Sequence, residues 1–201
     1  MNSRLVLASS SPRRKELLES VGIQFEIMAP SADESILNKE NPRDYALRLA
    51  AEKAIYVSQR VEGNCLVIGA DTIVLVDREI LGKPSDGKEA FTMLQKISGR
   101  THRVLTAFSI VQPQDKVLHS EVVETRVRVK ALEPHEIQGY IKTTEPMDKA
   151  GAYGIQGEGA FMIKEISGSY TNVVGLPLVE VLEALKKIGA LELFRGNGFR
   201  K

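Results

Sequence analysis

Asp71 is the residue whose surroundings most demand a chemical explanation. It lies in "VIGADTIVLV", between two apolar, β-prone runs, where an unpaired carboxylate is costly to bury. A carboxylate so placed can bind a divalent metal or take a proton from water. It can equally mark a turn at the end of a strand. Glu34, in the loop "SADES", is a second acid in a less specific setting. One or two carboxylates suffice for magnesium on a phosphate ester, because water and phosphate oxygens complete its shell.

Cations that could face such an ester are also present. In "LASSSPRRKELL" a serine turn leads into a helix, with Ser11 as N-cap and Pro12 as first helical residue. Acids normally occupy a first helical turn, because unpaired N–H groups leave partial positive charge there. Here that turn carries Arg13, Arg14 and Lys15, each costing about 0.3–1 kcal/mol at an exposed end. The hydroxyls of Ser9 and Ser11, free N–H groups and guanidiniums aimed at one point would suit a polyphosphate. A solvated basic patch, or a phosphorylation or targeting signal of the "SPRRK" kind, fits the same residues. Lys53 sits among alanines in "AAEKA", which leaves room for a ligand or for a packed helix. Lys83 closes "LGKP" beside a proline that fixes the backbone.

The elements that must position these groups follow from periodicity and punctuation. Strands are expected at 4–8 and 24–29, and helices at 12–21 and 42–61, the second capped by Asn41 with Asp44 in its first turn. "CLVIG" and "TIVLV" flank Ala70-Asp71, and "VDREI" reads as a hairpin turn. A helix at 86–97 precedes long strands at 101–112 and 117–130, joined by "QPQDK". In "SEVVETRVRV" polar and apolar residues alternate, so one face is expected to be wet. A helix at 133–142, a glycine-rich irregular "DKAGAYGIQGEGA", a strand-like "FMIKEIS" and a helix at 177–188 complete the chain. Strands mixed with helices, with long hairpins in the middle, imply an α/β fold on a mixed sheet.

Composition narrows the function classes. The chain has 201 residues, 43% of them hydrophobic and 26% charged, enough for one domain over residues 1–201 with two lobes. A formal net charge of +1 argues against a broadly basic nucleic-acid binder. Aromatic residues make up 5% and Trp is absent, which disfavours stacking along single strands. Cys65, the single cysteine, sits in "CLVIGA" and is expected in the core. No segment approaches the ~20 apolar residues of a membrane span, and the first residues lack a signal-peptide core, so a cytoplasmic location is expected. His102, His119 and His135 show no metal-ligand spacing, and the Walker, G-x-S-x-G and Cys-x-x-Cys motifs are missing.

Six motifs in order, "LASSSPRRKELL", "VIGADTIV", "LGKP", "SGRTH", "EPMDKAGAYGIQG" and "NVVGLPL", resemble the Maf family of nucleoside triphosphate pyrophosphatases from about Leu5 to about Leu185. The resemblance implies a fold like that of inosine triphosphate pyrophosphatases, an elongated mixed sheet with flanking helices and two lobes around a cleft. It also implies metal-dependent hydrolysis, with Mg²⁺ or Mn²⁺, of a nucleoside triphosphate to the monophosphate and pyrophosphate. Asp71 matches the family's catalytic base. Arg13, Thr72 and Gln156 match positions tied to substrate choice, and Ser9, Ser11, Arg14, Lys53 and Lys83 match groups lining the phosphate site. Asp71 and Glu34 would hold the metal. "KAGAYGIQG" is similar to the subfamily acting on dTTP and UTP, in a house-cleaning role, and a homodimer with neither nucleic-acid nor membrane partners is expected. Val129 stands where the family often has an aromatic, and the tail "RGNGFRK" has no counterpart. The alternative is a nucleotide-binding regulator of septum formation and cell division without turnover, which would need the cationic cradle but no base.

Overall fold

The helix caps set the frame. In the computed structural model, which describes residues 4–38 and 40–192, the Asn41 side chain accepts from the N–H groups of Arg43 and Asp44 at 3.0 Å each. That cap opens the helix Pro42–Ser58. Asp86 caps Gly87–Ile97 in the same way, accepting from Lys88 and Glu89 at 2.8 Å. Most elements fall close to the expected ranges, but the helix expected over 42–61 ends at Ser58 and the short helix Tyr170–Val174 was not expected. In chain order they are β1 (Arg4–Ala8), α1 (Pro12–Ser20), β2 (Glu26–Met28), α2 (Pro42–Ser58), β3 (Cys65–Val76), β4 (Glu79–Leu81), α3 (Gly87–Ile97), β5 (Thr101–Gln112) and β6 (Lys116–Val129). They continue with α4 (Pro134–Lys142), β7 (Ile163–Ser167), α5 (Tyr170–Val174) and α6 (Leu178–Lys187).

Among the described residues the sheet is mixed, as expected, with seven strands in the order β2-β1-β3-β5-β6-β7 and β4 paired to β3. β1 runs parallel to both β2 and β3, while β3–β4 and β6–β7 are antiparallel. The parallel pairs need crossovers, and α1 and α2 supply them.

Three local readings change. Asp71 does not break two strands apart, because β3 passes through it without interruption. Ser11 occupies the N-cap of α1 but makes no side-chain cap bond, and its own N–H donates to Ser9 Oγ at 3.1 Å. The glycine-rich stretch contains 3₁₀ turns at Glu145–Asp148, Ala150–Ala152 and Gly157–Met162, so β7 starts only at Ile163. The tail "RGNGFRK" lies outside the described residues.

The chain divides into two units, with the boundary in β3 between Asp71 and Thr72. The first takes the chain up to Asp71, Thr106–Val123 and everything from Gly175 on. Its core joins Leu7, Leu18, Leu66, Ile68, Phe108 and Ile110 to Leu176, Val181 and Leu185. A second cluster packs Val6, Ala8, Cys65 and Val67 against Ala54 and Val57 of α2, so Cys65 is a buried core thiol. The second unit takes Thr72–Leu105 and Glu124–Val174. There α3 presents Ala90, Met93, Leu94 and Ile97, one face at helical spacing, to Val74, Val104, Val127 and Tyr153.

Candidate active site

The close packing of α2 on β3 builds the first unit's polar cluster. A Cβ at Gly69 would lie 2.3 Å from the Ala50 carbonyl oxygen and 2.6 Å from the Ala54 nitrogen. Only a residue without a side chain lets helix backbone come so near the strand. Ala50 and Ala54 of "AAEKA" therefore meet β3 at Gly69, one turn apart on either side of Lys53's position in the helix.

This packing delivers Lys53 to Asp71. The Lys53 ammonium donates to Asp71 Oδ1 and to Glu34 Oε1, both at 2.7 Å. The Lys53 and Asp71 side chains are each 11% exposed, whereas that of Glu34 is 52% exposed. Asp71 thus survives inside an apolar strand because a buried ammonium balances it.

Glu34 is held in place by the same helix. Tyr45 donates its hydroxyl to the Glu34 carbonyl at 2.8 Å, and Arg48 Nη2 donates to the Ser35 carbonyl at 2.9 Å. Arg48 also grips Glu40 through Nε at 2.7 Å and Nη2 at 2.8 Å, and its Nη1 reaches Glu52 at 3.3 Å. This pairing with Glu40 is the main reason the Arg48 guanidinium binds its proton more tightly than usual, and it holds the Glu40 carboxyl below the ordinary range. The Tyr45 phenol is pushed up by burial first, then by Asp71 and Glu34. Tyr45, Arg48, Glu52 and Lys53 share one face of α2, two turns long.

At the start of α1, Arg14 has protein acceptors of its own. Its Nε donates to the Gly175 carbonyl at 2.7 Å, and its Nη1 donates to the Ala70 carbonyl at 2.9 Å and to Ser9 Oγ at 3.3 Å. The cation at the unfavourable end of a helix is therefore explained in part by carbonyl oxygens. Burial lowers the proton affinity of Arg14, Asp71 opposes that, and neighbouring Arg13 reinforces it. Ser9 is buried, while Ser11 and Arg13 are half-buried. The first unit brings together Ser9, Arg14, Glu34, Lys53 and Asp71, with the Arg13 charge felt at Arg14.

Thr72, Lys83 and Gln156 belong to the second unit. Thr72 is half-buried in β3, next in the chain to Asp71. Lys83 is exposed, and the Gly82 carbonyl beside it accepts from the N–H of Gly151 at 2.9 Å, tying "LGKP" to "KAG". Gln156 is half-buried and precedes a 3₁₀ turn. Sequence reasoning passed over Tyr140 and Glu145, which organise that turn. Glu145 accepts from Tyr140 Oη at 2.8 Å, from the N–H of Glu158 at 2.8 Å and from that of Gly159 at 3.1 Å. It also passed over Tyr45 and Arg48, although Arg48 and Glu52 stand at the i, i+4 spacing of a helical ion pair.

The histidines have other partners. His102 is buried with Nε2 2.7 Å from Tyr153 Oη, and His119 stacks on Phe108. Among the described residues no group of three or more His, Cys, Asp or Glu side chains is arranged to hold a metal. The Asp71–Glu34 pair nevertheless suits a hard divalent cation. Two anionic oxygens already converge on one positive centre, and Mg²⁺ or Mn²⁺ prefers such oxygens, completed by phosphate and water.

A model described as Maf-like protein matches residues 4–188. A dTTP/UTP pyrophosphatase of Geotalea uraniireducens (strain Rf4) is 50% identical over 94% of this chain and 97% of its own length. One from Geobacter sp. (strain M21) is 52% identical over 94% of this chain and 98% of its own length. One from Symbiobacterium thermophilum is 50% identical over 92% of this chain and 94% of its own length. A solved nucleoside-triphosphatase / dITP/XTP pyrophosphatase from Mycobacterium abscessus aligns with 96% of this chain and all of that one. Its TM-score is 0.40 at 13% identity, too slight a likeness to add to the fold. No helix among the described residues is long and apolar enough to cross a membrane.

Proposed function

The chain belongs to the Maf family, and on that premise we propose that it hydrolyses dTTP and UTP to the monophosphate and pyrophosphate. The observation that carries this reading is the Asp71 carboxylate, embedded in an apolar strand and balanced by a buried lysine. A purely structural residue at this place would be apolar, since well-packed apolar side chains usually match or exceed a buried ion pair in stability.

In this reading Asp71 takes the proton of a water whose oxygen attacks the α-phosphorus. The Pα–O bond to the β-phosphate breaks, and pyrophosphate leaves with its charge met by cations. A base of this kind contributes typically 10²- to 10⁴-fold. A divalent metal held by Asp71 and Glu34 would draw charge from the phosphate and make the water more acidic. Tyr45 and Arg48 fix the loop of Glu34, so that its carboxylate stays on the Lys53 side. Arg13 neutralises the phosphate chain, and Lys53, which bridges Asp71 and Glu34, is assigned a phosphate contact by the family resemblance. Arg14, with Ser9, holds the carbonyl of Ala70 and so steadies the residue before Asp71. Ser11 and Lys83 are assigned phosphate contacts by the family resemblance. Gln156 reads the base, offering its amide to O4 and N3–H of uracil or thymine, a pairing that cytosine inverts. Thr72 and Arg13 join it in substrate choice. The protein works as a cytoplasmic homodimer in this proposal.

The test is pyrophosphate release from dTTP, UTP, CTP, ATP and GTP with Mg²⁺ or Mn²⁺, in the wild type and in Asp71→Asn. We expect turnover of dTTP and UTP that needs the metal and falls at least about 100-fold in the folded variant. Pyrophosphate from none of the five, with nucleotide still bound, would leave the regulator reading in its place.

A further inference from the structure

Gln156 sits in a short loop that is pinned from both sides by one pair of side chains. Before it, the N–H of Gly154 donates to Tyr140 Oη at 3.1 Å. After it, the N–H groups of Glu158 and Gly159 donate to Glu145 Oε2 and Oε1 at 2.8 and 3.1 Å. The two anchors are joined to each other, because Tyr140 donates its hydroxyl to Glu145 Oε1 at 2.8 Å. Lys149 holds the backbone of Glu145 in turn, through a 2.6 Å bond to its carbonyl.

The glycines of "YGIQGEG" are shaped to this pair. Gly157 has φ +69°, and a Cβ there would lie 2.6 Å from Glu145 Oε2. A Cβ at Gly159 would lie 2.6 Å from Tyr140 Oη and 2.4 Å from the Gly154 carbonyl oxygen. The loop thus wraps the carboxylate with no space for side chains. Burial pushes the Glu145 carboxyl up, but the Tyr140 hydroxyl, the two N–H groups and Lys149 outweigh it, leaving it below the ordinary range. The anchor therefore stays ionised, an acceptor at both oxygens.

We infer that Glu145, with Tyr140, is the positioning residue for base selection: it fixes the backbone on either side of Gln156 and so the direction in which that amide points. Glu145 touches no substrate in this scheme and acts through the loop. The inference rests on the proposal that Gln156 reads the base.

The experiment measures kcat and KM for UTP, dTTP and CTP in the wild type, Glu145→Gln, Tyr140→Phe and Gln156→Glu, with thermal melting alongside. In Glu145→Gln the amide oxygen can serve the two donors at Oε1, which turns the NH₂ toward the N–H of Glu158. Tyr140→Phe instead releases Gly154. We expect the preference for UTP over CTP in kcat/KM to fall roughly tenfold in both variants. The UTP loss should appear in KM, with kcat within about threefold of wild type. Equal loss on all three substrates, or unchanged selectivity while Gln156→Glu shifts it, would overturn the positioning role. If Gln156→Glu leaves selectivity untouched, the base-reading assignment fails and the inference with it. Should Glu145→Gln fail to fold, Tyr140→Phe decides the matter by the same criteria.

Discussion

Replacing Lys53 by methionine keeps most of the buried stem and removes the ammonium that Asp71 and Glu34 share at 2.7 Å. The expected cost can be divided between the two partners. The Glu34 side chain is 52% exposed, so its bond to Lys53 counts as a surface pair worth about 0–1 kcal/mol. Asp71, with 11% exposure, loses its neutralising charge inside the fold, and breaking such a buried pair costs about 3–5 kcal/mol. We expect about 3 kcal/mol for Lys53→Met. Asp71→Asn should cost less, about 2 kcal/mol, because the stranded ammonium keeps Glu34 and some access to water. The double variant should cost about 3 kcal/mol and not the summed 5, a coupling of about 2 kcal/mol, as for residues in contact. Urea unfolding at pH 7 followed by circular dichroism gives the four stabilities, since the chain has no Trp for fluorescence. A coupling below about 0.5 kcal/mol would show that the ion pair does not balance Asp71, and the account of its burial would be wrong.

Gly69→Ala drives a methyl group into the backbone of α2, so it should cost about 3 kcal/mol in urea and lower turnover at least about tenfold by moving Lys53. Wild-type stability in that variant would refute the close-packing argument. His102 is held neutral, its pKa pulled down to about 4 by burial. Its folded-state value lies below the unfolded value near 6.5, so the unfolded chain takes up the proton first as pH falls. Stability from this group is complete above about pH 6.5 and declines by roughly 3 kcal/mol as pH drops to about 4. His102→Gln should flatten the stability curve across that window relative to wild type, and an unchanged slope would count against it.

Elements governed by neighbours in sequence were legible. Asn41 and Asp86 cap their helices because short polar side chains reach N–H groups two and three residues on, and the α3 stripe follows from helical spacing. The first helix and its missing acids were equally readable. Features set by distant partners were not. The sequence of β3 shows an aspartate in an apolar run, but only the arrival of Lys53 from α2 lets the strand continue through it. Arg14 looked like a group awaiting an anion, whereas carbonyls of residues 70 and 175 take part of its bonding capacity. Glu145 carried a faint signal, in glycines at 154, 157 and 159 crowded together without the length of a flexible linker. For Gly69 the clue was the match between a glycine beside Ala70-Asp71 and the alanines at 50 and 54.

The bond from Arg14 to the Gly175 carbonyl spans 161 residues, and it has a consequence for biosynthesis. A ribosome delivers all of Thr72–Leu105 and Glu124–Val174 before it delivers the segment from Gly175 on. Unit two therefore has its whole chain in hand while unit one still lacks Leu176, Val181 and Leu185, which close the core over Leu7, Leu66 and Phe108. Until those residues emerge, the Leu7, Leu66 and Ile68 side of β1 and β3 lacks part of its apolar cover, while α2 already covers Val6, Cys65 and Val67. Contacts of such long sequence separation form slowly, and open apolar strands on a nascent chain invite aggregation. Arg14, which holds the carbonyl of the residue before Asp71, gains its Gly175 acceptor only when most of the chain has been made.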